Sequence, residues 1–121
     1  MTKQILAVDD SKTMRDMINF TLLGAGYDVT LAVDGNDGLA KLKDNPIDLI
    51  ITDINMPGMN GIELIKHVRS DGSYRSMPIL ILTTESGDGI KQEGKAAGAT
   101  GWIIKPFVPE KLLKVVAKVC P

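Results

Sequence analysis

The chain has 121 residues, with 14 Lys plus Arg against 15 Asp plus Glu, a formal net charge of −1, 44% hydrophobic and 24% charged residues. That length and composition fit one globular domain able to bury its own core without a metal or disulfide staple, and they exclude a disordered segment. The balanced charge excludes a basic field for nucleic acid or for an anionic membrane surface.

Residues 1–4 run into the apolar stretch Ile5-Leu6-Ala7-Val8 and then Asp9-Asp10. This stretch is too short for a signal-peptide core and no small-residue cleavage site follows it, so no leader is expected. It is instead the first of five short β-rich runs, expected over 4–9, 28–33, 48–53, 78–83 and 101–105. The longest apolar runs, such as Ile79-Leu80-Ile81-Leu82, fall far short of the roughly 20 residues of a spanning helix. Helices are expected between the strands. The segment 11–23 places Met14, Met17, Ile18 and Leu22 on one face, and 109–119 places Leu112, Val115, Val116 and Val119 together with Lys111, Lys114 and Lys118 outside. Pro109 suits a first helical turn, where its missing N–H costs nothing. Shorter helices are expected over 35–43 and 61–69. A further one over 86–97, with Gly87, Gly89 and Gly94, is expected to be short, frayed or mobile, since each glycine costs about 1 kcal/mol against Ala.

Strict alternation of strand and helix implies an α/β fold, a single doubly wound five-stranded parallel sheet covered on both faces. The continuous apolar runs at 5–8, 49–51 and 79–82 suit strands buried on both sides, while Val29, Leu31 and Val33 alternating with Thr30 and Ala32 suit a flanking strand. One domain fills the chain, with no linker or repeat. Cys120 is the single cysteine, which excludes an intrachain disulfide and a multi-thiolate metal site. It reads as a spare thiol near a frayed C-terminus, and a reducing cytoplasm is the expected location. His67, between Lys66 and Arg69, has no second His or Cys to join in a metal site and is expected on the surface.

Ligands of open α/β sheets sit beyond the carboxyl ends of the strands. There the chain places Asp9-Asp10, Asp53, Thr83-Thr84 and Lys105-Pro106, with Asn55 two residues beyond Asp53. Each alone has an ordinary structural explanation: a helix cap for Asp10 or Ser11, a turn for Asp53, a solvated strand end for Lys105. Their convergence on one edge does not. Three neighbouring carboxylates repel and require a cation, and all-oxygen ligation favours a hard metal such as Mg²⁺. Formal charges of −3 from Asp9, Asp10 and Asp53, +2 from Mg²⁺ and +1 from Lys105 cancel. Such a site can accept a phosphoryl group on a carboxylate, with Thr83 donating a hydrogen bond to its oxygens.

At Val8-Asp9-Asp10, Asp53-Ile54-Asn55-Met56-Pro57, Asn60-Gly61, Thr83 and Gly101-Trp102-Ile103-Ile104-Lys105-Pro106-Phe107 the chain resembles the receiver domains of two-component response regulators. Ser11-Lys12-Thr13-Met14-Arg15 is similar to their single-domain chemotaxis subgroup. The resemblance covers essentially the whole chain. It implies the flavodoxin-like strand order 2-1-3-4-5 and a stand-alone receiver without an output domain. Asp53 would be the phospho-acceptor, charged from the phosphohistidine of a sensor histidine kinase. Asp10 and Asp53 would bind Mg²⁺ directly, with the Asn55 main-chain carbonyl as a third ligand and Asp9 acting through water. Thr83 and Lys105 would bind the phosphoryl oxygens and report phosphorylation by moving. Asn55 and Glu85 would flank the attacking water and tune self-dephosphorylation. The Lys105–Pro106 bond would be cis.

Trp102 stands where this family usually carries Tyr or Phe as an inward-rotating switch; it is bulkier and has no phenolic hydroxyl. Asn60 stands where Asp is frequent, and either residue can cap the next helix. The implied partners are the kinase, an output protein such as a flagellar motor switch component, and a phosphatase, the chain itself being a cytoplasmic monomer and a switch in place of an enzyme. A phosphate sink or relay carrier is the alternative within the class. A Mg²⁺-dependent phosphohydrolase of the haloacid-dehalogenase type needs an acid two residues after its nucleophile, where this chain has Asn55. No G-x-G-x-x-G or P-loop pattern follows the first strand, against a nucleotide-binding module.

Overall fold

In β1 (Gln4–Val8) successive side chains point to opposite sides of the sheet, so Ile5 and Ala7 share one face and Leu6 and Val8 the other. All four are at most 1% exposed, which explains the unbroken apolar run. The same holds for β3 (Leu49–Thr52) and β4 (Ile79–Thr83), both buried throughout. With β2 (Asp28–Ala32) and β5 (Gly101–Ile104) they form one all-parallel sheet of order β2-β1-β3-β4-β5. The computed structural model describes residues 2–85 and 87–121.

Helices α1 (Lys12–Gly24) and α5 (Pro109–Val119) cover the Ile5 and Ala7 face through Ile18, Leu22, Leu112 and Val116. Helices α2 (Gly35–Asp44), α3 (Gly61–Ser70) and α4 (Asp88–Ala97) cover the Leu6 and Val8 face through Leu42, Leu64, Ile65, Val68 and Ala97. The cores therefore lie on either side of the sheet, and each fully buried Ile or Leu adds about 1.5–3 kcal/mol. Starts of helices follow local chemistry. Ser11 accepts from the Met14 N–H, Asp34 from Asp37, and Asn60 forms a reciprocal capping box with Glu63. Pro109 opens α5 as expected.

The structure corrects several sequence expectations. In the flanking strand it is the small Ala32, at 0% exposed, that is buried, whereas Val33 lies beyond the strand and is exposed. Met17 is also exposed, because the contact stripe of α1 runs through Ile18 and Leu22 with Met14 partly covered. A 3₁₀ turn at Gly72–Tyr74 was not foreseen; it is nucleated by Asp71, whose side chain accepts from the Ser73 N–H. Helix α4 forms ten residues despite its glycines, as many as α2 and α3. Its expected beginning at Ser86 lies outside the described residues. Among those residues no helix is long and apolar enough to cross a membrane.

Cys120 is not part of a frayed end. It is 6% exposed and packs with Ile5 and Val116 in the α1/α5 core, its N–H bonded to the Val116 carbonyl. Burial pushes its thiol up from the ordinary value, with Asp48 adding to the rise and Lys3 opposing it. Because the thiolate is the nucleophile, alkylation at pH 8 is expected to be at least about tenfold slower in the native protein than in the denatured chain. Equal rates in the two states would contradict the burial.

Candidate functional site

Register brings the site together. Val8 of β1 pairs with Thr52 of β3, Thr52 with Ile81 of β4, and Thr83 of β4 with Ile104 of β5, so Asp9, Asp53, Thr83 and Lys105 come at the same edge of the sheet within two residues of one level. The crevice lies where the order reverses, between the ends of β1 and β3, because the chain leaves β1 toward β2 on one side and returns to β3 on the other. Asp9, Asp10 and Asp53 each offer a carboxylate oxygen, and the three atoms lie within 4.8 Å of one another.

The Lys105 ammonium is set among them. Its Nζ donates to Asp9 Oδ2 at 2.7 Å and to Asp53 Oδ2 at 3.1 Å, with the lysine side chain only 9% exposed. Far from a solvated strand end, it is a buried cation between two carboxylates. The Lys105–Pro106 bond is cis, as the resemblance implies. Asp53 is oriented from its other side, Oδ1 accepting the Ile54 N–H at 2.7 Å. Asp9 has both oxygens engaged, since Oδ1 accepts the Ser11 N–H at 2.9 Å. Asp10 is exposed at the rim, and its carboxylate accepts no hydrogen bond among the described residues. Asp53 likewise has both oxygens engaged, so of the three carboxylates Asp10 alone is free of hydrogen bonds among the described residues.

Thr83 is fully buried, and its Oγ1 accepts the Glu85 N–H at 3.3 Å. Across the mouth of the site the Asn55 side-chain amide donates to Glu85 Oε1 at 2.8 Å, so the two residues expected to flank an attacking water hold one another. Trp102 is half-buried on the edge strand β5, where it packs against the core beneath α4. Its indole Nε1 is buried without a hydrogen-bond partner among the described residues. A buried unpaired donor costs about 1–3 kcal/mol, so the larger aromatic is held at some expense in stability. His67 is exposed, as expected.

Two positions matter more than their sequence signal suggested. Arg15, one turn into α1, donates from Nη1 to the Asp9 carbonyl oxygen at 2.8 Å and so braces the end of β1. Gly61 opens α3 against the backbone of the acceptor strand: a Cβ there would stand 2.0 Å from the Asp53 carbonyl oxygen. In the sequence Gly61 stands out only as part of the Asn60-Gly61 motif, because a close approach of backbone to backbone leaves no trace beyond the glycine itself. Gly61→Ala must displace Asp53, and a loss of about 2–3 kcal/mol is expected on the scale of core overpacking. Urea denaturation measures it, and an unchanged midpoint would show that the loop after β3 yields freely.

The fit to a divalent cation follows from the donors present. Three carboxylates with oxygens this close offer a hard, all-oxygen set, and a single ammonium does not balance them. Mg²⁺, which keeps several waters and takes few protein ligands, is matched by this arrangement.

Fold and site together are those of a receiver domain, and the sequence comparison agrees: residues 5–117 match the response regulator receiver domain, and the chain belongs to that family. Among curated proteins, it is 44% identical over 111 residues to the chemotaxis protein CheY1 of Helicobacter pylori, covering 90% of both chains. It is 38% identical over 117 residues to the chemotaxis protein CheY-3 of Vibrio cholerae, covering 96% of this chain and 90% of the other. The solved structure of the Vibrio cholerae chemotaxis protein CheY4 superposes with a TM-score of 0.95 at 51% identity, over 98% of this chain and 99% of that one.

Proposed function

We propose that the chain is a phosphorylation-controlled binding switch of a chemotaxis two-component system, charged on Asp53 by a sensor histidine kinase. The observation that carries this reading is the Lys105 ammonium bridging Asp9 and Asp53 inside a cluster of three carboxylates. A carboxylate so placed is a nucleophile with its countercharges already in position. In the transfer step an Asp53 carboxylate oxygen forms a bond to phosphorus as the bond from phosphorus to the kinase histidine breaks. The electron pair of that broken bond returns to the imidazole.

Mg²⁺, held by Asp10, Asp53 and the Asn55 main-chain carbonyl, would supply positive charge to the phosphoryl oxygens. Lys105 exchanges its contact with Asp53 for a phosphoryl oxygen, and the Thr83 hydroxyl turns from the Glu85 N–H to donate to another. The Asn55 and Glu85 pair stands over the approach to the acyl phosphate and sets how readily water enters. Relief of these contacts changes the relative stability of two arrangements of α4, β5 and α5, and a partner that binds one of them better reads the difference. The relatives are named as chemotaxis proteins, which favours an output partner of the flagellar motor over a phosphate sink. The chain acts in the cytoplasm, as a switch with slow self-hydrolysis in place of a substrate-turning enzyme.

Incubation with Mg²⁺ and acetyl phosphate tests the reading. The expected result is a mass gain of one phosphoryl group, mapped to the peptide that carries Asp53 and absent when the metal is chelated. A phosphoprotein formed equally well without divalent metal, or modified at another residue, would sink it.

A further inference from the structure

The segment between β3 and α3 carries Asp53 and Asn55 and is closed on itself. Its base is the Gly61 N–H bonded to the Ile54 carbonyl oxygen at 2.8 Å. Between those residues Pro57 and Gly58 turn the chain, Gly58 at φ 74° and Pro57 with φ fixed by its ring. Met56 and Met59 flank the bend. Met56 is buried in the core under α2, α3 and α4, and Met59 packs against the same core partly covered. Asn55 is therefore set between two buried neighbours, Ile54 and Met56, with its side chain held by Glu85.

Met59 stands against the backbone of another element. Asp34 caps α2 through the Asp37 N–H, which fixes where the helix begins, and Gly35 is its buried first residue. A Cβ on Gly35 would lie 2.8 Å from the Met59 carbonyl oxygen, 2.8 Å from its Cγ and 2.9 Å from its Cβ. The carbonyl oxygen and the Cβ are placed by the backbone, so no change of rotamer relieves them. One turn on, Gly38 brings α2 down onto Val8, the residue before Asp9, where a Cβ would meet Val8 Cγ2 at 3.0 Å. Helix α2 is also tied to the sheet: the Lys41 Nζ donates to the Leu31 carbonyl oxygen at 2.6 Å, and Leu42 is buried. It is thus seated on the end of β1 and abuts the loop after β3, the two segments that carry the carboxylates.

We propose that Gly35 is a positioning residue for the divalent-cation site, and that its contact with Met59 sets the preference of that site for a small cation. The proposal rests on the reading of Asp10, Asp53 and the Asn55 main-chain carbonyl as the Mg²⁺ ligands. A side chain at position 35 drives Met59 away from α2, because α2 is held by the sheet. The proline-stiffened bend passes the shift on to Asn55. Mg²⁺ demands near-ideal octahedral geometry at about 2.0–2.1 Å, whereas Ca²⁺ accepts more oxygens at longer and more variable distances. A displaced carbonyl therefore penalises Mg²⁺ far more than Ca²⁺.

Mg²⁺ and Ca²⁺ titrations of the metal-free full chain, followed by amide NMR shifts at Asp10 and Asn55, test the role. Gly35→Ala is expected to weaken Mg²⁺ binding about tenfold, the order of loss when a group supporting a metal ligand is disturbed, and Ca²⁺ binding by no more than about threefold. Met59→Ala leaves Gly35 in place and removes the foot of the loop. It should lower the Mg²⁺ to Ca²⁺ affinity ratio at least about threefold, and it judges the role if Gly35→Ala does not fold. Gly101→Ala is the comparison: a Cβ there would meet Leu80 Cδ2 at 2.8 Å at the amino end of β5, away from the site. It should cost stability and leave both affinities within about twofold. Unchanged affinities or equal weakening of the two metals in the Gly35 and Met59 variants would overturn the role, as would an equal shift of the ratio in Gly101→Ala. If Mg²⁺ moves neither Asp10 nor Asn55 in the unsubstituted protein, the ligand reading itself falls, and the proposal with it.

Discussion

Asp53→Asn is expected to reduce phosphoryl uptake from acetyl phosphate by at least about 10³-fold, the order of loss that follows removal of a covalent nucleophile. The substitution is nearly isosteric: the new amide oxygen can still accept the Ile54 N–H that now orients Asp53 Oδ1 at 2.7 Å. Folding should survive, since the change removes one of three clustered like charges. A second readout is independent of mass. Trp102 packs beside α4 with its Nε1 unpaired, so its fluorescence should change when Mg²⁺ and beryllofluoride load the unsubstituted protein. Asp53→Asn should abolish that change. A variant that still takes up phosphoryl, or still responds optically, places the acceptor elsewhere.

Lys105→Ala has the other large effect, and it falls on stability and signalling together. Among the described residues the ammonium is the one cation bonded to the Asp9 and Asp53 carboxylates, at 2.7 and 3.1 Å, and Asp9 is 1% exposed. Removing it leaves buried carboxylates uncompensated, for which a loss of about 3 kcal/mol is expected in metal-free buffer. Millimolar Mg²⁺ should restore much of that loss, because a ligand bound only by the native state stabilises it by mass action. Metal affinity should not fall, since Lys105 competes with a cation for the same oxygens. Phosphorylation, where it still occurs, should no longer change partner affinity. Denaturation with and without Mg²⁺, and Trp102 fluorescence titrated with the metal, decide the matter. A collapse of Mg²⁺ affinity would mean that the lysine organises the metal site instead of reading the phosphoryl group.

Most of the secondary structure was legible because it rests on local chemistry. Period-2 and period-3.6 apolar patterns and Pro109 at a helix start put each strand and α-helix within a residue or two of its place. The site's membership was legible for a related reason: strand ends in a parallel α/β sheet share one edge, so Asp9, Asp53, Thr83 and Lys105 had to gather there once the alternation was recognised. Errors fell where burial depends on what comes from elsewhere. Cys120 looked like a loose end until α5 packed it beside Ile5, and Met17 looked like core until the stripe of α1 was set by its contacts.

By itself, then, the sequence determined the α/β alternation, the edge that carries the candidate site and the residue types that suit a hard cation, because each follows from periodicity or side-chain type. Only the tertiary structure decided how those residues are engaged. Lys105 reaches Asp9 across 96 residues of chain, Asn55 meets Glu85 across 30, and Arg69 clamps Gly98 across 29. Contacts between such distant residues are set by strand register and by how closely helices approach the sheet. No local pattern encodes that approach, so the pairing of the charges appears only when the chain is folded.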